Sequence, residues 1–314
     1  MRRGGPPGLR LDVGAVPAFA RVARGSRGLG FAAAGTPDGE VAPSGDLRLV
    51  HGAPTPLTAI DVVAGGQLAV GSTPGVAHTF RVPSMEAVHD RRPPGLSRIS
   101  GAVLSNAALL EADDGWRAVV LPSLGDIAAD LGPGPVALRG DARRLAVAAA
   151  ERVVEVALPE GAEEAEHEAT VDALCFAGDA LMAARGGAVG PLGSDATDGS
   201  AVVDLAGAAS APRAVALHED GTVSVWSAEG ERLAAWPAPL TDVSSIALSA
   251  DGETVALGGA AAGDPVAALV RAADGAWERR VEGARGISPS PDGEGVAVCG
   301  DWGAVWLKTV EEDE

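Results

Sequence analysis

The sequence predicts an all-β chain, a single β-propeller domain over residues 1–314 built from four-stranded antiparallel blades. Three observations predict it. A small apolar pair recurs at intervals of 34 to 41 residues along the whole chain, the period of a four-stranded propeller blade. Most of those pairs are followed by a tight turn, in four cases built on Asp-Gly or Gly-Gly, and such a dipeptide between apolar runs is a strong hairpin signal because both positions accept positive φ. A four-stranded unit of this length has two apolar faces and nothing of its own to cover them. Successive units must therefore stack, and twisted sheets stack radially into a ring.

The recurring pairs are Phe31-Ala32, Leu68-Ala69, Ala108-Leu109, Leu145-Ala146, Leu181-Met182, Val215-Ala216, Val255-Ala256 and Val296-Ala297, each read as part of a unit's second strand. The turn into the third strand reads TPDGEV at 36–41, STPGVA at 72–77, ADDGWR at 112–117, ARGGAV at 184–189, HEDGTV at 218–223 and GDWGAV at 300–305. An apolar run upstream of each pair supplies the first strand, as in LTAIDVV at 57–63, PVALRG at 135–140, VDALCF at 171–176 and VSSIAL at 243–248. More polar segments after the hairpin, such as MEAVHD at 85–90 and ERLAAW at 231–236, supply the fourth.

Eight pairs predict eight blades. Seven is the alternative if the unit at 171–200, whose tail GSDATDGS at 193–200 is turn-like, is an insertion. The last unit ends near Val310 with three strands, and Leu9 to Val13 is expected to supply its fourth, closing the ring and removing an open sheet edge.

SADGETVALGG at 249–259 and SPDGEGVAVCG at 290–300 resemble the turn and second strand of the WD40-repeat family. HEDGTVSVW, ending at Trp226, and GDWGAVW, ending at Trp306, resemble its second turn and third strand. The likeness covers nearly the whole chain and is strongest from Val202 to Val310. The family's Gly-His dipeptide is absent, and its Trp-Asp is replaced by Trp226-Ser227 and Trp306-Leu307, so the hydrogen-bond network built on those residues does not carry over. The resemblance implies a non-enzymatic scaffold that binds a protein or peptide partner on its turn face, as a subunit of a bacterial multi-protein complex.

A net charge of −19 and a pI near 4.6 exclude a general nucleic-acid binder, which needs clustered Arg or Lys on its docking face, and favour a basic partner. The first 27 residues run against this trend, with six arginines and one acid, Asp12. Cys175 and Cys299 each lie in an apolar strand-like run without CxxC spacing, so buried free thiols are expected. No run approaches the roughly 18 apolar residues of a membrane span, and the N-terminus lacks a continuous apolar leader core. The expectation is a cytoplasmic protein that does not engage membranes.

Nothing in the sequence nominates a catalyst or a cofactor. His51, His78, His89, His167 and His218 fall in different units and none is spaced as a local metal pair. Gly28-Leu-Gly30-Phe-Ala-Ala33 matches a relaxed dinucleotide fingerprint, but Thr36-Pro37-Asp38-Gly39 ends the segment where a helix would have to begin. Acidic turns at Asp113-Asp114, Glu219-Asp220 and Asp251 fit turn chemistry better than calcium, since no loop alternates oxygen ligands. The alternative function is a propeller enzyme, a metal-assisted hydrolase or lactonase with ligands gathered at the central channel. Among six tryptophans, Trp226 and Trp306 fall at third-strand positions suited to packing between blades, whereas Trp116 and Trp302 fall at or beside turns. A large aromatic at an exposed turn is an interface anchor. The expected partner-binding residues are therefore Trp116 and Trp302, with Arg117 and Asp301 as a polar rim; a Trp folded over its own hairpin is the competing reading.

Overall fold

In a computed structural model, the chain is described at residues 10–12, 19–25, 28–34, 47–53, 57–193, 199–292, 295–301 and 303–309, with backbone alone before residue 57 and at 308–309. Seven antiparallel sheets stand as blades around a central axis. The first comprises Ala59–Val63, Leu68–Thr73, Val76–Arg81 and Glu86–Arg91. The second comprises Arg98–Gly101, Ala107–Ala112, Gly115–Val120 and Gly125–Ala128, and the third Val136–Leu138, Arg144–Ala149, Arg152–Ala157 and Ala162–Glu168. The fourth has three strands among the described residues: Ala173–Ala177, Ala180–Arg185 and Ala188–Pro191. The fifth comprises Val202–Gly207, Arg213–His218, Thr222–Ser227 and Arg232–Pro237. The sixth comprises Thr241–Leu248, Thr254–Ala261, Asp264–Arg271 and Trp277–Glu282, and the seventh begins with Gly286–Pro289, Gly295–Gly300 and Gly303–Thr309.

Strand periodicity builds the ring. In Gly295–Gly300, Val296 and Val298 join the core shared with the sixth blade, while Ala297 and Cys299 join the core shared with the first. Successive side chains of a strand point to opposite faces, so one apolar run serves two interfaces. Val305 and Leu307 repeat the division with Ala304 and Trp306 on the next strand. One apolar cluster fills each of the seven junctions between adjacent blades, the junction between the seventh and first included. Each buried Val or Leu in these clusters contributes about 1.5–3 kcal/mol. The last junction is also tied by hydrogen bonds: the Leu57 amide donates to the Gly300 carbonyl at 3.1 Å, and the Val62 amide to Ser288 Oγ at 3.0 Å.

Two expectations are corrected here. The ring has seven blades, not eight, because the first apolar pair, Phe31-Ala32, lies in a two-stranded hairpin, Phe19–Gly25 with Gly28–Ala34, that belongs to no blade. The unit at 171–200 is a full member of the ring and not an insertion. Closure by an N-terminal strand holds, but the strand is Leu47–Ala53, paired with Gly303–Thr309. Residues Arg10–Asp12, inside the segment expected to close the ring, pair instead with Trp277–Glu282 as a fifth strand on the sixth blade. The TPDGEV turn at 36–41 lies outside the described residues.

The two ends of the ring differ. Turns between second and third strands share one face with the connections between blades, and two of them are hydrogen-bonded to a connection: the Gly75 amide donates to the Leu96 carbonyl at 3.3 Å and the Asp113 amide to Pro94 at 3.0 Å. The opposite face carries the first-to-second and third-to-fourth turns. Among the described residues no helix is long and apolar enough to cross a membrane.

Candidate functional site

Of the four residues expected to bind a partner, the structure describes three, Trp116 and Arg117 in the second blade and Asp301 in the seventh. Trp116 is buried, 7% exposed, because it sits at the start of the third strand of the second blade and turns into the core shared with the third blade. There it packs with Leu109, Val136, Leu145 and Leu158. Its reading as an exposed anchor is therefore corrected: the indole stabilises a junction. Arg117 is also largely covered, and ion-pairs with Asp114 and more loosely with Asp126 at 3.8 Å. Asp301 stands exposed in the last second-to-third turn and accepts two bonds from Arg285, at 2.8 Å from Nε and 2.9 Å from Nη2. That guanidinium holds the Asp301 carboxyl below the usual carboxylate range. Trp302, the next residue, lies outside the described residues.

The central channel holds charged groups that the sequence reading did not single out. Arg98, on the innermost strand of the second blade, ion-pairs with Asp204 on the innermost strand of the fifth. Those blades are not neighbours, so the pair spans the channel. Asp204 also accepts the Leu205 amide at 3.0 Å and the Ile246 amide at 3.3 Å. Asp61, on the innermost strand of the first blade, accepts the Gly101 amide of the second at 2.9 Å. Burial pushes the Asp61 carboxyl up to about 6, against the lowering pull of that amide and of Arg98, with Asp204 adding to the rise. A perturbed carboxyl in a channel marks a candidate site. Among the described residues no three His, Cys, Asp or Glu side chains gather as a metal would require. Nothing in sequence spacing foretold this trio, since only ring closure brings residues 61, 98 and 204 together.

The fifth blade carries a network that replaces the one the sequence lacks. Trp226 Nε1 donates to Ser224 Oγ at 2.7 Å; Ser224 Oγ lies 2.6 Å from His218 Nε2, and His218 Nδ1 lies 2.8 Å from the Ser200 carbonyl. A carbonyl only accepts, so His218 carries a proton on Nδ1, and the Ser224 hydroxyl links the imidazole to the indole. His218 and Ser224 both precede Trp226 within HEDGTVSVW, and that proximity was the available signal.

Both cysteines are free and buried, as expected, and burial pushes their thiols well above the usual range, leaving them inert. No family model matches the chain, and no curated protein matches it.

Proposed function

We propose that this propeller is a non-enzymatic, WD40-like interaction scaffold, docking a protein or peptide partner on the connection face as a cytoplasmic subunit of a bacterial multi-protein complex. The observation that supports it most is the build of that face. Two of its short turns are hydrogen-bonded to the inter-blade connections, so the surface is pre-organised there and loses little entropy on binding. Asp301 is exposed there, oriented by Arg285, and Trp302 follows it in the sequence. The acidic surface favours a basic partner. Affinity capture from the native host with Trp302→Ala and Asp301→Ala tests the face: the partner recovered with the unmodified chain is lost or weakened about tenfold, as for an interface anchor. Equal recovery with both variants would place docking elsewhere. Trp116→Ala is unsuitable, since removing a buried indole costs about 3–5 kcal/mol of stability.

A second reading, a propeller enzyme working at the channel, draws support from Asp61 beside the Arg98–Asp204 pair. Stoichiometric calcium or zinc in purified protein would favour it over the scaffold.

A further inference from the structure

A cleft of about 490 Å³ opens on the face opposite the connections, between the sixth and seventh blades. Its volume lies in the roughly 300–1,000 Å³ range of ligand pockets. Trp277 forms part of the wall and is 41% exposed, whereas Trp116, Trp226, Trp236 and Trp306 are 4–8% exposed. The backbone causes this. Val270 pairs with Trp277 but Leu269 with Arg279, so Glu278 is an extra residue in a β-bulge that re-aims its neighbours. The exposed indole stands in the same cleft as two carboxylates.

Those carboxylates are Asp251 and Glu278. Asp251 Oδ1 accepts Ser249 Oγ at 2.6 Å and the Glu253 amide at 3.1 Å; Glu278 Oε2 accepts Thr254 Oγ1 at 3.0 Å. Neutral donors hold both in place, and among the described residues neither has a cationic partner within ion-pair distance. Several acids elsewhere do have such a partner, as Asp126 has Arg91, Asp274 has Arg271 and Asp301 has Arg285. The hydroxyl of Ser249 also keeps Asp251 below the usual carboxylate range. The cation within the cleft, Arg279, donates to the Glu278 carbonyl at 2.7 Å. The indole already accepts a guanidinium, with Arg280 Cζ 5.5 Å from its ring centroid. A planar cation that stacks on an indole while forking onto a carboxylate is a guanidinium, which an ammonium cannot imitate.

We propose that this cleft binds an arginine side chain of an extended peptide, stacked against Trp277 and paired with Asp251 and Glu278. The site is separate from the connection face, so its failure leaves the docking proposal standing and the reverse. The test is calorimetric and fluorescence titration of the full chain, at physiological salt, with a glycine–serine peptide carrying paired arginines and with its lysine and alanine counterparts. The arginine peptide binds one to one, shifts tryptophan emission, and binds at least about tenfold more tightly than the lysine peptide. Trp277→Ala abolishes the emission shift, and Asp251→Asn with Glu278→Gln weakens binding about tenfold or more. Trp277 is exposed, so Trp277→Ala folds, checked by an unchanged urea midpoint. No saturable binding, equal affinity for arginine and lysine, or unchanged binding by either variant overturns the assignment.

Discussion

At the scale of single residues, Asp61 shows what ring closure costs. Its carboxyl is held near 6 by burial, above its ordinary value of 3.8, so between those values the folded chain binds more protons than the unfolded one. Stability therefore falls as pH rises through that window, and the full penalty is present above pH 6. Asp61→Asn keeps an oxygen for the Gly101 amide and removes the buried charge, at the expense of attraction to Arg98. The variant is expected to match the parent near pH 4 and to exceed it by about 1–3 kcal/mol at pH 8. Urea titrations at both pH values check this; an equal difference at the two would show that Asp61 does not titrate there. The network of His218, Ser224 and Trp226 makes the complementary point about legibility. Trp226-Ser227 reads as the loss of a familiar residue pair, yet the indole still finds a partner, two residues upstream and on its own strand.

At the scale of elements, the first three strands of most blades were legible because their apolar runs are separated by tight turns, built on Asp-Gly or Gly-Gly in the second, fourth and fifth. The fourth strand was not. In all six blades that have one among the described residues, the fourth strand carries a register shift against the third, leaving an extra residue such as Val88, Ile127, Glu164, Leu233 or Glu278. The bulge breaks the period-two pattern that sequence reading relies on and turns Val88 and Leu233 outward. The acidic run EGAEEAEHE became one of these strands, Ala162–Glu168, its charges paired across to Arg144 and Arg152 and guarding an outer edge. Innermost strands obey a different constraint, close approach around the axis. A Cβ on Gly207 would lie 1.9 Å from the Phe176 carbonyl oxygen of the fourth blade, an atom fixed in the sheet. Gly207→Ala is therefore expected to cost about 3 kcal/mol or more, at or beyond the upper end of overpacking penalties. Gly125→Ala, where a Cβ meets nothing nearer than 3.6 Å, should lie within about 0.5 kcal/mol of the parent. Thermal melts of the pair separate steric contact from any general intolerance of alanine.

At the scale of the whole molecule, blade number is decided by which N-terminal segment completes the last sheet. Local pattern cannot answer that, because Phe31-Ala32 sits in a hairpin as regular as those inside the ring. What distinguishes a blade is a neighbour on each side, a property of the closed circle. Leu47–Ala53 pairs with Gly303–Thr309 from Ala304↔Ala53 to Thr309↔Leu47, covering an edge that would otherwise be open. A chain beginning at residue 47 keeps this strand and should unfold as one cooperative unit with nearly the parent urea midpoint. A chain beginning at residue 57 loses it, along with several backbone bonds worth about 0.5–1.5 kcal/mol each, and exposes a strand edge that invites self-association. It should show a lowered midpoint and aggregate on size-exclusion chromatography. Had a strand from Leu9 to Val13 closed the circle, both truncations would be crippled alike, so the contrast between them tests the seven-bladed closure directly.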